Sequence, residues 1–430
     1  MTQMEQMAIS KSIPRIRDIW KTILTITFAW MFDAMDLTML SIVIKSIAID
    51  LNISLSSIGG LLLSAALLTS GLGGIFFGYM ADKIGRKKTL SISILTYGIP
   101  TLFVGFVSNW QGLLLLRLIS GFGVGGAWAA GMTLISETVH PEDRGTAIGI
   151  VQSGFPIGFM LAVFLSYTIA FSPNGVHPFM NWRLAFIAAA IPAIIMAVYV
   201  QLKIPESNIW KNQIANDQKN IKDLIKDAKN IKYLAIAILL DTIAMMGYWM
   251  YWSWLPSYLS TTYQTKILSA TQNLSWLLLT QMGAVLGYIS YGRIQDKLGR
   301  RPTWVIFTIS EGILIITSIF ILNIIITQEI VNSAFLSIFY AVGFALGFGT
   351  GYWSAFGAIL SELFPTKIRS TFSGLAFNIG RSINFVSPIL VGIVAQIYGW
   401  AYAISLSAIA VFITSVIIWM LPETKGKHLE

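Results

Sequence analysis

The chain has 430 residues, of which 55% are hydrophobic and 11% are charged. Ordinary soluble domains carry about 25% charged residues, so this composition excludes a soluble globular protein and predicts apolar surface that faces lipid. The net charge is +9, and the absence of cysteine excludes disulfide bonds and thiolate metal sites. Residues 1–21 are polar and of mixed charge, so we expect no cleaved signal peptide.

Twelve apolar runs follow along the chain, each long enough for a membrane-spanning helix, which needs about 20 residues. Backbone groups in lipid must bond within their own segment, and the runs lack the period-two alternation of β-barrel strands. We therefore expect an all-α integral membrane protein. The predicted spans are residues 22–46, 58–80, 89–108, 111–135, 146–170, 183–203, 233–259, 271–292, 302–326, 331–360, 371–396 and 400–421.

The distribution of basic residues predicts which ends of the spans are cytoplasmic. If the N-terminus lies inside the cell, 24 of the 29 lysines and arginines fall in cytoplasmic segments. This asymmetry is what the positive-inside rule describes. We expect a multi-pass protein of the plasma membrane with both termini in the cytoplasm. The basic charge thus reflects topology in the lipid bilayer and does not point to nucleic acid.

The second half of the sequence repeats features of the first half. Residues 78–87 (GYMADKIGRK) return as residues 292–301 (GRIQDKLGRR), and a pattern of Ser-Glu, Arg, Thr and Gly in residues 136–149 returns in residues 361–374. Each half therefore has one charged turn after its second span and another after its fourth span. A parallel repeat of this kind marks many secondary transporters.

The repeat predicts two six-helix bundles, formed by residues 1–203 and 233–430, which are related by a pseudo-twofold axis. Residues 204–232 between them are polar and rich in Lys, Asp and Asn, so we expect a cytoplasmic linker. The stretch KDLIKDAKNIKYL, residues 222–234, is compatible with a helix at the membrane surface or with a solvated tether.

The turn at residues 78–87 resembles the signature turn of the major facilitator superfamily, and the resemblance extends over the whole chain. Residues 205–207 (PES) and 422–426 (PETKG) resemble the sugar-porter-type branch, which includes proton symporters for aromatic and other organic acids. Residues 30–36 (WMFDAMD) in the first span are most similar to the organic-acid members. The paired glutamines that sugar porters carry in their seventh span are missing here.

The resemblance implies a secondary active transporter, not an enzyme, in which two bundles rock around a central site. The implied activity is proton-coupled symport of a small organic anion, an aromatic or short-chain carboxylate. A proton–sugar symporter and an uncoupled uniporter or exchanger are the alternatives. No nucleotide-binding loop or metal-ligand spacing occurs in the sequence, so we expect no cofactor and no metal, and a monomer suffices for this architecture.

Six ionisable residues fall inside predicted spans, where each costs at least about 2.5–3.5 kcal/mol at a helix centre. With a rise of 1.5 Å per residue, Asp36 and Arg117 lie at nearly the same depth. We expect Arg117 to pair with Asp36 or Asp33, and protonation of that carboxylate to couple proton movement to the substrate. A static ion pair is the alternative. The six residues are Asp33, Asp36, Arg117, Asp241, Glu311 and Arg381.

Arg381 lies near mid-membrane and resembles an anchor for an anionic substrate, because a guanidinium group binds a carboxylate through two parallel hydrogen bonds. Pairing with Asp241 is the alternative. For Glu311 we expect an ion pair with Arg293 or another structural role.

Aromatic residues of the seventh span either contact a planar substrate or pack only against neighbouring helices. We expect Tyr352 and Trp353 of the tenth span to face them. The predicted substrate-binding residues are Arg381, Asn378, Asn384, Gln152, Asp241, Tyr248, Trp249, Trp252, Tyr352 and Trp353.

The charged turns predict a cytoplasmic gate that is closed by ion pairs when the inner side is shut. We expect Asp82 to pair with Arg86 and the corresponding Asp296 to pair with Arg300. These pairs are expected near two further acid–base sets, and opening would break them. The predicted gate residues are Asp82, Arg86, Glu137, Arg144, Asp296, Arg300, Glu362 and Arg369.

Overall fold

The computed structural model describes residues 14–53, 58, 60–170, 182–215, 227–256, 258–259, 267–329 and 332–426. Within these ranges the chain forms helices and no strands. A helix is present at each of the twelve predicted spans. They are α1 (Ile16–Asp50), α2 (Gly60–Ile84), α3 (Arg86–Val104), α4 (Trp110–Thr138), α5 (Arg144–Gln152 and Gly154–Leu165), α6 (Trp182–Lys203), α7 (Ala228–Trp252), α8 (Ala270–Leu298), α9 (Arg300–Gln328), α10 (Ser333–Gly349 and Trp353–Leu363), α11 (Thr366–Ile383 and Val386–Tyr398) and α12 (Trp400–Ser405 and Ser407–Ile417).

Ten helical segments of the described chain are long and apolar enough to cross a membrane, and α3 and α8 are not among them. Both of these helices carry polar residues on faces that point into the protein. In α3, Ser91, Ser93 and Thr101 are buried, and in α8, Asn273 and Gln281 are buried. These side chains lower the mean hydropathy of the helix without facing lipid, so hydropathy alone understates the number of spans.

Three spans beside the centre of the molecule are interrupted. Pro156 in α5 and Pro388 in α11 have no N–H group for the carbonyl four residues earlier, and each helix breaks within that turn. α10 tightens into a 3-10 turn at Thr350–Tyr352 before it continues at Trp353. The breaks place Gln152, Trp353 and Arg381 close to irregular backbone, where side chains can point into a cavity.

The linker has one described helix, Asn208–Ala215, and residues 216–226 lie outside the described residues. The surface helix expected at residues 222–234 is therefore covered only in part, and from Ala228 onward its residues continue directly as the beginning of α7. The indole Nε1 of Trp210 donates a hydrogen bond to the carbonyl of Asp82, at 2.9 Å. This bond fastens the linker helix to the end of α2.

Glycines allow helices within each half to approach closely. A side chain at Gly347 of α10 would overlap the carbonyl oxygen of Thr280 in α8, and one at Gly73 of α2 would overlap that of Phe122 in α4. The two halves meet mainly where α2 packs on α11 and where α8 packs on α5. These two contacts are equivalent in the repeat, because α2 corresponds to α8 and α5 corresponds to α11.

We expect Gly347→Ala to destabilise the folded protein by at least about 1–3 kcal/mol, because the added methyl group meets backbone that cannot rotate away. Gly392→Ala is the matched control, since its methyl group would meet only a ring atom of Trp254 at 3.6 Å. The measurement is the thermal unfolding temperature of each purified variant in detergent. Equal unfolding temperatures for the two variants would contradict the close contact of α8 and α10.

Candidate functional site

A cavity of about 340 Å³ lies between the two halves, and both halves contribute to its wall. The wall is mostly aromatic and contains a single charged group, the guanidinium of Arg381. The lining residues are Trp30, Gln152, Phe155, Met245, Tyr248, Trp249, Tyr288, Trp353, Phe377 and Arg381.

Several buried polar atoms of this wall have no hydrogen-bond partner within the described protein. The donors are the indole Nε1 atoms of Trp30, Trp249 and Trp353 and two guanidinium nitrogens of Arg381, Nε and Nη1. One acceptor, Oε1 of Gln152, is also unpartnered, while its Nε2 donates to the Trp353 carbonyl at 2.9 Å. Buried polar atoms normally find partners, so this wall is suited to a polar ligand that accepts several hydrogen bonds.

Arg381 is held in the cavity wall by aromatic faces. The guanidinium carbon lies 4.9 Å from the ring centre of Phe377 and 5.8 Å from that of Trp30. Phe377 precedes Arg381 by one helical turn on α11, whereas Trp30 comes from α1 in the other half. Asp33 and Asp241 are close enough to Arg381 for electrostatic interaction, but none of their carboxylate oxygens has a hydrogen-bond partner.

Arg117 binds Asp36 and leaves Asp33 to other neighbours. Its Nη1 donates to both carboxylate oxygens of Asp36, at 2.9 and 3.0 Å, and Thr101 of α3 donates to the same carboxylate. Asp36 and Arg117 are both almost completely buried. The sequence left Asp33 and Asp36 open as partners of Arg117, and in the structure the partner is Asp36.

The aromatic residues of α7 separate the central cavity from a second one. Tyr248 and Trp249 line both spaces, and the ring of Tyr248 meets that of Trp353 edge-on at 5.4 Å. Trp252 lines only the second cavity, which has a volume of about 480 Å³ and also borders Arg117. A solute in the central cavity would therefore contact Tyr248 and Trp249, and would reach Trp252 only by moving toward the second cavity.

Some residues predicted to bind the substrate lie away from the central cavity. Asn378 donates to the carbonyls of Gly125 and Gly374, and Asn384 donates to the carbonyls of Thr242 and Gly380. Both amides are buried between helices, so they hold α11 against α4 and α7.

Asp241 and Tyr352 are also buried outside the lining set. Asp241 lies against the backbone of α11 at Gly380, behind Arg381. Tyr352 is fully buried behind Trp353, and its ring centre lies 5.1 Å from that of Trp304.

Glu311 does not form the ion pair with Arg293 that was expected. Arg293 is exposed, whereas Glu311 is buried and its carboxyl group faces Tyr352 of α10. The Cα atom of Glu311 would lie 3.2 Å from a side chain added at Gly349, so α9 and α10 touch at this point. The pair with Arg293 is wrong because the face of α9 that carries Glu311 points into the bundle and away from the loop, and the alternative, a structural role, stays a prediction.

Two glutamates join the halves at the gate face, by which we mean the ends of the helices where α2 meets α3 and α8 meets α9. Glu137 accepts from Arg86 of its own half, at 3.1 Å, and from Arg369 of the other half, at 2.9 Å. Glu362 is its counterpart in the second half, and it accepts from Arg300, at 2.7 Å, and from Arg144 of the first half, at 3.1 Å.

Each glutamate thus bridges two arginines, one from each half. The two further acid–base sets expected near the aspartate–arginine pairs are Glu137 with Arg144 and Glu362 with Arg369, and in the structure each of these arginines binds the glutamate of the opposite half.

Asp82 and Asp296 strengthen the same contact. Asp82 pairs with Arg86 at 3.2 Å and accepts from the N–H and hydroxyl groups of Thr371 in the other half. Asp296 pairs with Arg300 at 2.8 Å and accepts in the same way from Thr146. Asp296 therefore caps the beginning of α5, where the helix dipole favours negative charge, whereas Asp82 binds α11 at its sixth residue.

Two further glutamates at the gate face were not singled out as gate residues from the sequence. Glu206 accepts from the backbone N–H groups of Arg86 and Lys87, and Glu423 accepts from those of Arg300 and Arg301. Each lies against a glycine with positive φ, Gly85 at +105° and Gly299 at +104°, where a side chain would be strained. The PES and PETKG motifs thus cap the third and ninth helices.

Partial burial raises the pKa of Glu423, but four backbone N–H donors outweigh this and hold the pKa below its ordinary value. The carboxylate therefore stays charged and keeps its contact with the start of α9 well into the acidic range.

The sequence analysis missed half of the cavity wall, namely Trp30, Phe155, Met245, Tyr288 and Phe377. Helical spacing could have found four of them. Trp30 precedes Asp33 by three residues, Phe155 follows Gln152 by three, and Phe377 precedes Arg381 by four, as Met245 precedes Trp249. Each therefore shares a helix face with a residue that was singled out, whereas no sequence signal pointed to Tyr288.

The sequence profile of the Major Facilitator Superfamily matches residues 26–325 and 242–430. The "Probable 4-methylmuconolactone transporter" of Cupriavidus pinatubonensis is 29% identical over 407 residues, covering 93% of this chain and 90% of that protein. The cis,cis-muconate transport protein of Acinetobacter baylyi is 30% identical over 386 residues, covering 88% of each chain.

A solved structure of a proton:xylose symporter bound to 6-bromo-6-deoxy-D-glucose has a TM-score of 0.77 at 19% identity. The match covers 96% of this chain and 97% of that one. At this level of identity the likeness concerns the fold alone, and it confirms the predicted all-α membrane fold of two six-helix bundles.

Proposed function

Because this chain belongs to the Major Facilitator Superfamily, and is therefore a transporter and not an enzyme, we propose that it moves a small organic anion together with a proton. The observation that carries this proposal is the guanidinium of Arg381, whose unpartnered N–H groups lie in the wall of the central cavity. A carboxylate is the group that a guanidinium binds best, through two parallel charged hydrogen bonds.

The rest of the cavity wall favours a flat or unsaturated acid. Three indole N–H groups, of Trp30, Trp249 and Trp353, supply further donors beside Arg381. The faces of Phe155, Tyr248 and Phe377 supply apolar contact for a planar carbon skeleton. The relatives named above transport muconate and, by its name, a muconolactone, which are unsaturated carboxylic acids or derived from them.

The arrangement of charges supports alternating access. The gate face is closed by pairs that cross between the halves, and we propose that it is the cytoplasmic face of the plasma membrane, with both termini on that side. Residues 1–203 and 233–430 would rock against each other, with residues 204–232 as the connection between them. Asp33, Asp36 and Arg117 are the proposed proton-coupling residues, and a monomer is the proposed working unit.

The test is uptake into proteoliposomes under an imposed inward proton gradient, with labelled benzoate, nicotinate, cis,cis-muconate, lactate, sialate and glucose in parallel. We expect at least one of the acids to accumulate above its external concentration, and we expect the accumulation to disappear when a protonophore collapses the gradient. Empty liposomes, which show the diffusion of the protonated acids, are the control.

Two outcomes would contradict the proposal. Accumulation of glucose alone would support a proton–sugar symporter, and it would leave Arg381 without a substrate carboxylate to bind. Uptake that equilibrates without regard to the gradient would support a uniporter or an exchanger.

A further inference from the structure

Two carboxylates and one guanidinium form a buried cluster behind the central cavity. Arg381 of α11 is within electrostatic range of Asp33 of α1 and Asp241 of α7, and each of the three residues is at most 2% exposed. None of the four carboxylate oxygens has a hydrogen-bond partner. The cluster thus has one carboxylate more than it has cations.

The two carboxylates reach Arg381 from different halves of the protein. Asp241 lies against Gly380, the residue before Arg381, and α7 packs along α11 within the second half. Asp33 belongs to the first half, as does Trp30, whose ring faces the guanidinium. When the halves rock, Asp241 moves together with Arg381, whereas the distance from Asp33 to Arg381 changes. Another carboxylate can therefore take the place of Asp33 beside Arg381 during the transport cycle.

The neighbouring pair on α1 does not have this freedom. Asp36 is bound through both oxygens by Arg117 and also by Thr101, and all three residues belong to the first half. Its negative charge is balanced whichever way the halves are arranged. Arg381 is the main cation that balances the negative charge of Asp33. A buried carboxylate without a cation or a hydrogen-bond donor is strongly disfavoured.

We propose that the substrate carboxylate and the Asp33 carboxylate compete for Arg381, and that Asp33 takes up one proton when the substrate binds. The negative charge of the substrate then replaces that of Asp33, and the new proton stays on an oxygen of Asp33 until the substrate leaves. Asp241 does not take up this proton, because it belongs to the same half as Arg381 and keeps its place against Gly380 when the halves move. This inference rests on the proposed symport and specifies its proton acceptor and its ratio of one proton per carboxylate.

The charged and titratable groups near Asp33 are Arg381 of α11, Arg117 of α4, Asp36 of α1 and Tyr97 of α3. The helices α2, α5 and α6 also pack on α1, and within the described residues they add no charged group to this set. Since Arg117 is occupied by Asp36, Arg381 is the one nearby cation of the described chain that a substrate can take from Asp33.

The test measures proton uptake when benzoate or nicotinate binds to the purified protein, in weakly buffered solution with a pH indicator. For the natural protein we expect about one proton per bound anion and an apparent affinity that falls about tenfold per pH unit wherever empty Asp33 is ionised. For Asp33→Asn, which imitates the protonated residue, we expect binding without proton uptake and with little dependence on pH.

Asp50→Asn is the matched control, because Asp50 lies on the same helix but pairs with Arg183 at its far end. This variant should take up protons like the natural protein. Proton uptake by Asp33→Asn equal to that of the natural protein would overturn the inference. Failure of the natural protein to bind either acid would instead contradict the proposed function.

If Asp33→Asn does not fold, two other measurements decide. Asp33→Glu keeps a carboxyl group and should keep the proton uptake. In the natural protein, benzoate binding should produce the infrared band of one newly protonated carboxyl group. Absence of that band would overturn the inference, as would proton uptake by Asp33→Asn equal to that of the natural protein.

Discussion

Replacing both Glu137 and Glu362 by glutamine is expected to shift the protein toward a conformation that is open at the gate face. Each glutamate bridges two buried arginines that come from different halves. Glutamine would remove two negative charges and leave Asp82 and Asp296 beside four guanidinium groups that face one another across the closed gate. Removing one partner from a buried ion pair costs about 3–5 kcal/mol, which corresponds to a shift of more than about 100-fold in the ratio of open to closed protein.

The absence of cysteine from the chain makes this shift measurable. A cysteine in place of Ser370, which is fully buried where α11 meets α2, should react slowly with a maleimide while the gate is closed. In the double variant we expect the labelling rate to rise at least about tenfold, since the site is reached only through the open gate.

Glu142→Gln is the control for the gate experiment, because Glu142 lies at the same end of the molecule but pairs with Arg15 in an exposed position. Exposed pairs contribute about 0–1 kcal/mol, so its labelling rate should stay near that of the natural protein. An unchanged rate in the double variant would mean that the crossing pairs do not hold the gate closed.

The gate shows which parts of the structure can be read from the sequence. The charged turns at this face could be predicted from the repeat, because residues 78–87 and 292–301 match closely. The repeat did not predict that Glu137 would bind Arg369, which is 232 positions away. A repeat indicates equivalent positions in the two halves, but it contains no information about which copy supplies the partner across a symmetric interface.

The cavity shows a second limit. Depth along a helix placed Arg117 level with Asp36, because a rise of 1.5 Å per residue is nearly constant. The direction of a side chain around the helix depends on the neighbours that surround it. Asn378 and Arg381 are three residues apart and were both expected at the substrate, yet Asn378 binds the carbonyl of Gly125 while Arg381 lines the cavity.

The positions of the spans and of the buried charges could be predicted from the sequence, because lipid disfavours exposed polar groups in every span. A charged residue within an apolar run had to be inside the bundle, and Asp33, Asp241 and Arg381 are. The extra aromatic lining residues could not be distinguished in the same way, because an aromatic side chain is equally favourable in contact with lipid, with another helix or with a solute.

Replacing Arg381 by lysine is expected to weaken binding of an organic acid by about 10- to 150-fold, although the charge is kept. A charged hydrogen bond contributes about 1.5–3 kcal/mol, and lysine cannot form the two parallel bonds of a guanidinium. Its ammonium group would also lose the wide contact with Phe377 and Trp30 that holds the guanidinium in place.

The measurement is the dissociation constant of benzoate or nicotinate at one fixed pH, with Arg293→Lys, an exposed change of the same kind, as the control. Affinity in Arg381→Lys within a few-fold of the natural value would show that the acid is bound elsewhere. Loss of affinity together with unchanged proton-driven uptake of glucose would assign the cavity to a neutral solute. A fall in affinity of about 10- to 150-fold in a folded variant is the result that the geometry of the cavity predicts.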